Sequence, residues 1–431
     1  MKMIALLVVM AAVLFPVGLL AEPAGPAPST DGAGNKSSKS PDAPPIEEIV
    51  SKALEQSPAL AAQRAKISSL HEQVGPAGAL SDPMIELNAE ESFMPSPAFS
   101  KGTLEFRQEL PFPGKLESRR KAASADASRQ VAELKKAERK LVSDVRTTYA
   151  KIYALDQERK YLDVAKDLLK LISETASARY SAGEGDQEAL IKSQLAVSQL
   201  YERQQNLQAE RRELVAEMNR LLNQPGDQPL GEVTKLPEVK APVKDTEESV
   251  LNTPDVATQN AAVMAAERRL DSARKEVYPD FLVGLGGGVA RNYVNNTQMP
   301  MAMLKFGVTL PIWQKSKQRP MIRAAEYEWK MAAEEQRDTE AMVRSEFTRL
   351  QSEWQKNEKL IVLYKQAILP QTDAALSAAR SSYLTGRGVF ITVIEDFNMW
   401  LESRIELARR ESERFTTWAE LESLRPVKSD I

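Results

Sequence analysis

The chain of 431 residues contains no cysteine and a single histidine, His71. The first absence excludes a disulfide framework, a thiol nucleophile, a zinc–thiolate centre and a lipoprotein signal, which needs a cysteine to acylate. The second excludes any histidine-based catalytic or metal cluster within one chain. His71 itself lies in a polar helical stretch and reads as an ordinary surface residue. Aromatic residues are only 6% and the net charge is −3. The low aromatic content points to a modest globular core, and the charge leaves no basic footprint for nucleic acid. Beyond the N-terminus no run approaches the roughly 18 apolar residues of a membrane helix. Any crossing further along the chain must therefore use strands.

What is present begins with Lys2, an apolar run from Ile4 to Leu20, and then Ala21. This pattern predicts a secretory signal over 1–21 and an exported chain. Residues 22–45, rich in Pro, Ser, Gly and Ala, read as a disordered linker. Charged residues reach 27%, the level of a chain with much solvated helix surface. Ser57-Pro58 is a helix start: a capping side chain, then proline at the first helical position.

"SDPMIELNAE" places Ile85, Leu87 and Ala89 on one face and Glu86, Asn88 and Glu90 on the other, the period-two pattern of a strand. After a loop containing Pro95 and Pro97, Leu104, Phe106 and Leu110 alternate with Thr103, Glu105, Arg107 and Glu109, which predicts a hairpin. From Lys115 to Tyr180 there is neither proline nor glycine. At about 1.5 Å per residue this stretch makes a helix of about 100 Å. Leu155, Leu162, Leu169 and Ala176 recur every seven residues, and after "YSAGEG" so do Leu200, Leu207, Leu214 and Leu221. Heptads on two joined segments predict an antiparallel coiled-coil hairpin, in which these leucines are core.

The second half repeats the first. Ser57-Pro58 matches Thr253-Pro254, Asp82 matches Asp280, and Leu110-Pro111 matches Leu310-Pro311. Tyr180-x-x-Gly183-x-Gly185 matches Tyr383-x-x-Gly386-x-Gly388, and the offset drifts only from 196 to 203 along the series. Four landmarks in register imply a duplication. The organisation predicted is a first repeat over 46–224 (helix, strand hairpin, long helical hairpin), a Pro-rich connector over 225–252, and a second repeat over 253–431. Phe281, Val283, Leu285 and Val289 alternate with Gly284, Gly286 and Gly288, and Ala302, Leu304, Phe306, Val308 and Leu310 alternate with Met303, Lys305, Gly307 and Thr309. "GLGGG" therefore lies inside a strand, with no helix following, and is no phosphate loop.

Each strand has about the ten residues that cross a bilayer when tilted, with one apolar and one polar or small face. Four strands cannot close a barrel, since single-chain barrels start near about eight. Open edges in hydrocarbon would leave backbone groups unpaired. Several copies must pool strands, most simply in a closed ring. In "LEFRQELPFPGKLESRRKAA" the last crossing residues are Leu104 to Leu110. Pro111 and Pro113 then end the ladder, Gly114 permits the turn, and Lys115, Arg119, Arg120 and Lys121 begin a water-side helix. "LPIWQKSKQRP" reads as the same switch, with Pro311 ending the strand and Trp313 suited to a membrane interface.

With these residues in place the sequence resembles the TolC family of outer-membrane efflux channels over nearly the whole mature chain. The resemblance rests on the duplicated halves, the "LPFPGK" junction and the "YSAGEGDQEALIKSQLAVSQL" turn. The "LPFPGK" form is most similar to the branch that serves heavy-metal cation efflux. The resemblance implies a mostly α fold with a small β part: a long periplasmic α-helical barrel continuous with a trimeric twelve-stranded outer-membrane β-barrel. It implies a homotrimer set in outer-membrane lipid, without catalysis or cofactor, docked onto a periplasmic adaptor (membrane fusion) protein and a proton-driven inner-membrane pump. Many relatives carry a lipidated N-terminal cysteine; this chain has none, so lipid anchoring is not expected.

The two Y-x-x-G-x-G turns would then be periplasmic tips that dock the adaptor, through Arg179, Tyr180, Gly183, Gly185, Tyr383, Gly386, Arg387 and Gly388. Glycine suits such turns because they need positive φ. Glu184, Asp186, Glu395 and Asp396 are candidates for a constriction, where carboxylates repeated by threefold symmetry would favour cations. A solvated helix cap is the competing reading of each. Pro370, ahead of the second tip, should kink its helix. Met299, Met301 and Met303 alternate in "QMPMAM". Thioethers suit Cu(I), against the plainer reading of a hydrophobic loop and strand edge. The alternatives are the same duct serving organic solutes or type I protein secretion, or a periplasmic coiled-coil scaffold or adaptor, which should carry a compact soluble β domain instead of four membrane-length strands.

Overall fold

A computed structural model describes residues 42–91, 99–240, 252–292 and 296–425. The signal segment, most of the linker, the Pro95 and Pro97 loop and part of the connector lie outside the described residues. The last linker residues join the fold: Asp42 bridges to Glu232, and the Ala43 amide donates to the Glu232 carbonyl at 3.0 Å.

The first repeat runs α1 (Ile46–Gln56), α2 (Pro58–Ala77), β1 (Met84–Glu91), β2 (Phe99–Leu110), α3 (Lys115–Ser181) and α4 (Gln187–Leu221). The second runs α5 (Pro254–Lys275), β3 (Asp280–Asn292), β4 (Thr297–Thr309), α6 (Gln318–Leu363), a π-helical turn (Tyr364–Ile368), α7 (Leu369–Leu384) and α8 (Phe390–Ser423). The matched helix starts are capped alike. Ser57 Oγ accepts from the Leu60 amide and Thr253 Oγ1 from the Val256 amide, each at 3.4 Å, with proline following.

The sheet is antiparallel in the order β1-β2-β3-β4, so the halves join through the β2–β3 ladder, where Phe106 opposes Leu285 and Leu110 opposes Phe281. One face carries Ile85, Leu87, Leu104, Phe106, Leu285, Leu304, Phe306 and Val308, all exposed in the single chain. The other carries Glu86, Glu105, Arg107, Lys305 and the alternate β3 glycines Gly284, Gly286 and Gly288. No helix among the described residues is long and apolar enough to cross a membrane.

α3, with 67 residues, is the spine: α2, α4, α5 and α8 all pack along it. The heptad leucines Leu155, Leu162, Leu169, Leu200, Leu207 and Leu221 are buried, while Leu214 is only partly so. A second core gathers Ile46, Val145, Tyr149, Ile152, Met218 and Phe415. Between these apolar layers sit charges the sequence pattern did not reveal. Asp156 is fully buried, accepting from Arg211 Nε at 2.6 Å and from the Val233 amide at 2.8 Å. Arg211 also donates to the Gly231 carbonyl at 2.9 Å, which fastens the connector to the helices.

At Pro370 the ladder is broken by the preceding π turn rather than by a helix end. Proline lacks the amide donor and crowds the carbonyl four residues back, and a π turn is one way a helix absorbs both.

Candidate functional site

The two expected tips are built alike. α3 ends with the Gly183 amide on the Tyr180 carbonyl (3.1 Å) and the Glu184 amide on the Arg179 carbonyl (2.9 Å). α7 ends with Gly386 on Tyr383 (3.1 Å) and Arg387 on Ser382 (3.0 Å). Gly183 and Gly386 take φ of 75° and 77°, a left-handed conformation costly for other residues. The second glycine of each turn is needed for space: a Cβ on Gly185 would lie 3.0 Å from the Tyr180 amide nitrogen, and one on Gly388 2.8 Å from that of Tyr383.

The tips also hold each other. Arg179 Nη1 donates to the Tyr383 carbonyl at 2.7 Å and its guanidinium lies 4.9 Å from the centre of the Tyr383 ring. Tyr383 is buried edge-on against Phe390, with 5.7 Å between centroids. Burial pushes the Tyr383 phenol pKa up, opposed by Arg179 and reinforced by Asp186. The eight tip residues therefore divide. Arg179 and Tyr383 bind the two hairpins together and Gly183, Gly185, Gly386 and Gly388 shape the turns, while the Tyr180 and Arg387 side chains are exposed.

Glu184, Asp186 and Glu395 are exposed and Asp396 half-buried, and none of the four forms a salt bridge among the described residues. Asp186 occupies the cap position of α4, yet its side chain makes no capping hydrogen bond. Its carboxylate stands in solvent at the helix N-terminus, where the solvated-cap reading also places it.

At the first expected membrane junction the structure corrects one sequence reading. Lys115 is not a solvated charge: it is 2% exposed, with Nζ 2.8 Å and 2.9 Å from the two Asp280 carboxylate oxygens and 3.7 Å from Glu276. Asp280 also accepts from the Phe112 amide at 2.9 Å. Phe112 stacks on Tyr278 at 4.6 Å, and Lys275 donates to the Gly114 carbonyl at 3.1 Å. Gly114, with φ of 90°, turns the chain between the exposed Pro113 and this clamp. The second junction differs within one chain. Pro311 is followed by a turn over 312–317, and Ile312 and Trp313 stand 73% and 70% exposed.

On the polar sheet face a charge ladder runs across all four strands. Arg107 reaches Glu86 at 2.6 Å and Glu105 at 3.5 Å, and Glu105, only 1% exposed, bonds Lys305 two strands away. It crosses β3 because Gly284, Gly286 and Gly288 leave room: a Cβ on Gly284 would lie 3.1 Å from Glu105 Oε1. Met299, Met301 and Met303 lie on this same face, opposite Ala290, Gly288 and Gly286. No group of three or more acidic or histidine side chains fit for a metal occurs among the described residues.

The sequence matches the family described as outer membrane efflux protein over residues 49–224 and 246–425. No curated protein sequence matches the chain. Among solved structures, the outer membrane protein VceC from Vibrio cholerae is 16% identical with a TM-score of 0.75, over 88% of this chain and 95% of that one. The outer-membrane channel OprN is 15% identical with a TM-score of 0.77, over 89% and 90%. CusC, described for its transmembrane channel formation, is 16% identical with a TM-score of 0.74, over 89% and 92%.

Proposed function

The chain belongs to the outer membrane efflux protein family, and on that premise we propose that three copies form one duct whose cargo is cations. The protein is an outer-membrane efflux channel with a periplasmic helical extension, a conduit and not an enzyme. The observation that carries the assembly is the four-stranded sheet, with one exposed apolar face and two unpaired edges, β1 and β4. Hydrocarbon does not tolerate such edges, so the strands of other copies must cover them. Three copies supply twelve strands.

The cation reading rests on Glu184, Asp186, Glu395 and Asp396, four carboxylates near the tips without a cationic partner among the described residues. Threefold repetition would concentrate negative potential at one level of the duct. The exposed Tyr180 and Arg387, beside Gly183 and Gly386, would meet a periplasmic adaptor, itself coupled to an inner-membrane pump. The test is the reversal potential of the protein in planar bilayers under a KCl gradient. A cation preference is expected, reduced when all four carboxylates become amides. An anion preference, or none, would refute the cation reading while leaving the channel. A deletion strain sensitised to metal salts would support it, and one sensitised only to organic compounds would reassign the cargo.

A further inference from the structure

The Lys115–Asp280 clamp closes the junction between β2 and β3, and duplication supplies a second set of the same parts. Lys115 follows Leu110-Pro111 at the spacing by which Lys315 follows Leu310-Pro311, and Asp82 stands where Asp280 stands in the other repeat. The aromatic pair has counterparts too: Phe112 corresponds to Ile312, and Tyr278 to Leu80. Within one chain these parts are far from use. β4, which leads to Lys315, and β1, which follows Asp82, are the two outer strands of the sheet. Asp82 and Lys315 are exposed and neither is paired, among the described residues, while Leu80 and Ile312 are 50% and 73% exposed.

We propose that Lys315 of one copy clamps Asp82 of the next across the β4–β1 seam, with Ile312 packed on Leu80. This rests on the pooled-strand assembly and goes beyond it, because it fixes residues and register. Carrying the β2–β3 register over by the same offsets sets Val308 opposite Ile85, Phe306 opposite Leu87 and Leu304 opposite Ala89. All six lie on the apolar face, and the polar face agrees, with Lys305 opposite Asn88. A slip of one residue would set each apolar side chain of one strand against a polar-face position of the other. Opposite charges end the ladder at the water boundary, as they do inside the chain. One part has no counterpart: Glu276, the second partner of Lys115, corresponds to Gly78, so the seam clamp carries one carboxylate fewer.

The absence of cysteine makes the test clean. In the full-length protein, Asp82→Cys with Lys315→Cys, treated in outer membranes with a short bis-maleimide, is expected to give covalent dimers and trimers on denaturing gels. Either single substitution, or Lys315→Cys paired with exposed Asp186→Cys at the distant tip, is expected to give monomer only. Charge supplies an independent readout. Lys315→Glu is expected to lower recovery of SDS-resistant trimer about tenfold, and Asp82→Lys added to it to restore most of the loss. Trimers that form normally in the doubly substituted protein yet do not crosslink between positions 82 and 315, or a charge swap without rescue, would overturn the clamp and leave the trimer standing. A monomer by native mass measurement of the unsubstituted protein would instead remove the assembly itself.

Discussion

Adjacent glycines in β3 offer a matched pair of substitutions with opposite outcomes. A Cβ on Gly288 would overlap sterically with the carbonyl oxygen of Gly102 and lie 2.7 Å from Thr103 Cγ2 and 3.0 Å from Thr103 Cα. Two of these three neighbours are backbone, and β2 cannot yield without straining the ladder that joins the repeats. A Cβ on Gly287 points to the opposite, apolar face, and its nearest neighbour is the Met301 carbonyl at an ordinary 3.5 Å. Overpacking costs about 1–3 kcal/mol when neighbours can shift, so Gly288→Ala should sit at the upper end, about 3 kcal/mol. Gly287→Ala should be neutral or stabilising by up to about 1 kcal/mol, the backbone entropy that glycine concedes in a strand. Gly284→Ala should fall between, since its neighbour at 3.1 Å is the end of the Glu105 side chain. The assay is circular dichroism melting in detergent, with outer-membrane recovery of the folded protein alongside. Spread over the unfolding entropy of a chain of 431 residues, that cost should lower the melting midpoint of Gly288→Ala by about 3 °C, and the variant should accumulate poorly. Equal melting of the 287 and 288 variants would refute the account of the glycine run as clearance for β2.

Tyr383→Ala should cost about 3–5 kcal/mol, the usual range for emptying a buried aromatic site. Tyr180→Ala, at a 43% exposed position, should leave melting within about 0.5 kcal/mol yet impair efflux in a complementation assay, and full efflux by that variant would remove Tyr180 from the docking surface. Arg211→Met strands the buried Asp156 carboxylate and should cost about 3–5 kcal/mol, whereas Arg220→Met, which breaks an exposed pair with Glu217, should not move the melting midpoint measurably.

The strands were legible because each repeats its chemistry every second residue, and the structure keeps Ile85, Leu87, Phe306 and Val308 on one face as that alternation required. The helical hairpin was legible because Leu162 and Leu169 return every seven residues to the same buried stripe. The clamps were not. Lys115 meets a partner 165 residues away and Arg179 one 204 away, and no local pattern distinguishes a charge that will be buried from one on a solvated helix face. Asp156 is hidden for the same reason, in a helix where charged residues abound. The one available signal was the repeat itself: once β2 and β3 are paired in register, Asp280 falls beside the residues that follow Pro111. At the tips the turns and their glycines were readable, but Tyr180 and Tyr383 look identical in the motif and only the packing separates them.

That separation has a physical cause, which sets the two ends of the molecule apart. A closed β-ladder admits only small departures from regularity, because each strand must match its neighbours in register and face. If β4 of one copy pairs with β1 of the next, that seam has to copy β2–β3, and duplicated sequence is held to duplicated geometry at the membrane. Nothing similar constrains the tips. Arg179 reaches across to Tyr383, but the residue matching Arg179 in the second repeat is Ser382, too short to return the contact to Tyr180. One tyrosine is therefore buried in the join between hairpins and its twin left exposed. A ring built from such chains contains two kinds of hairpin in alternation, so a partner that grips only one kind finds three sites around the ring, and one that grips both finds six unequal ones.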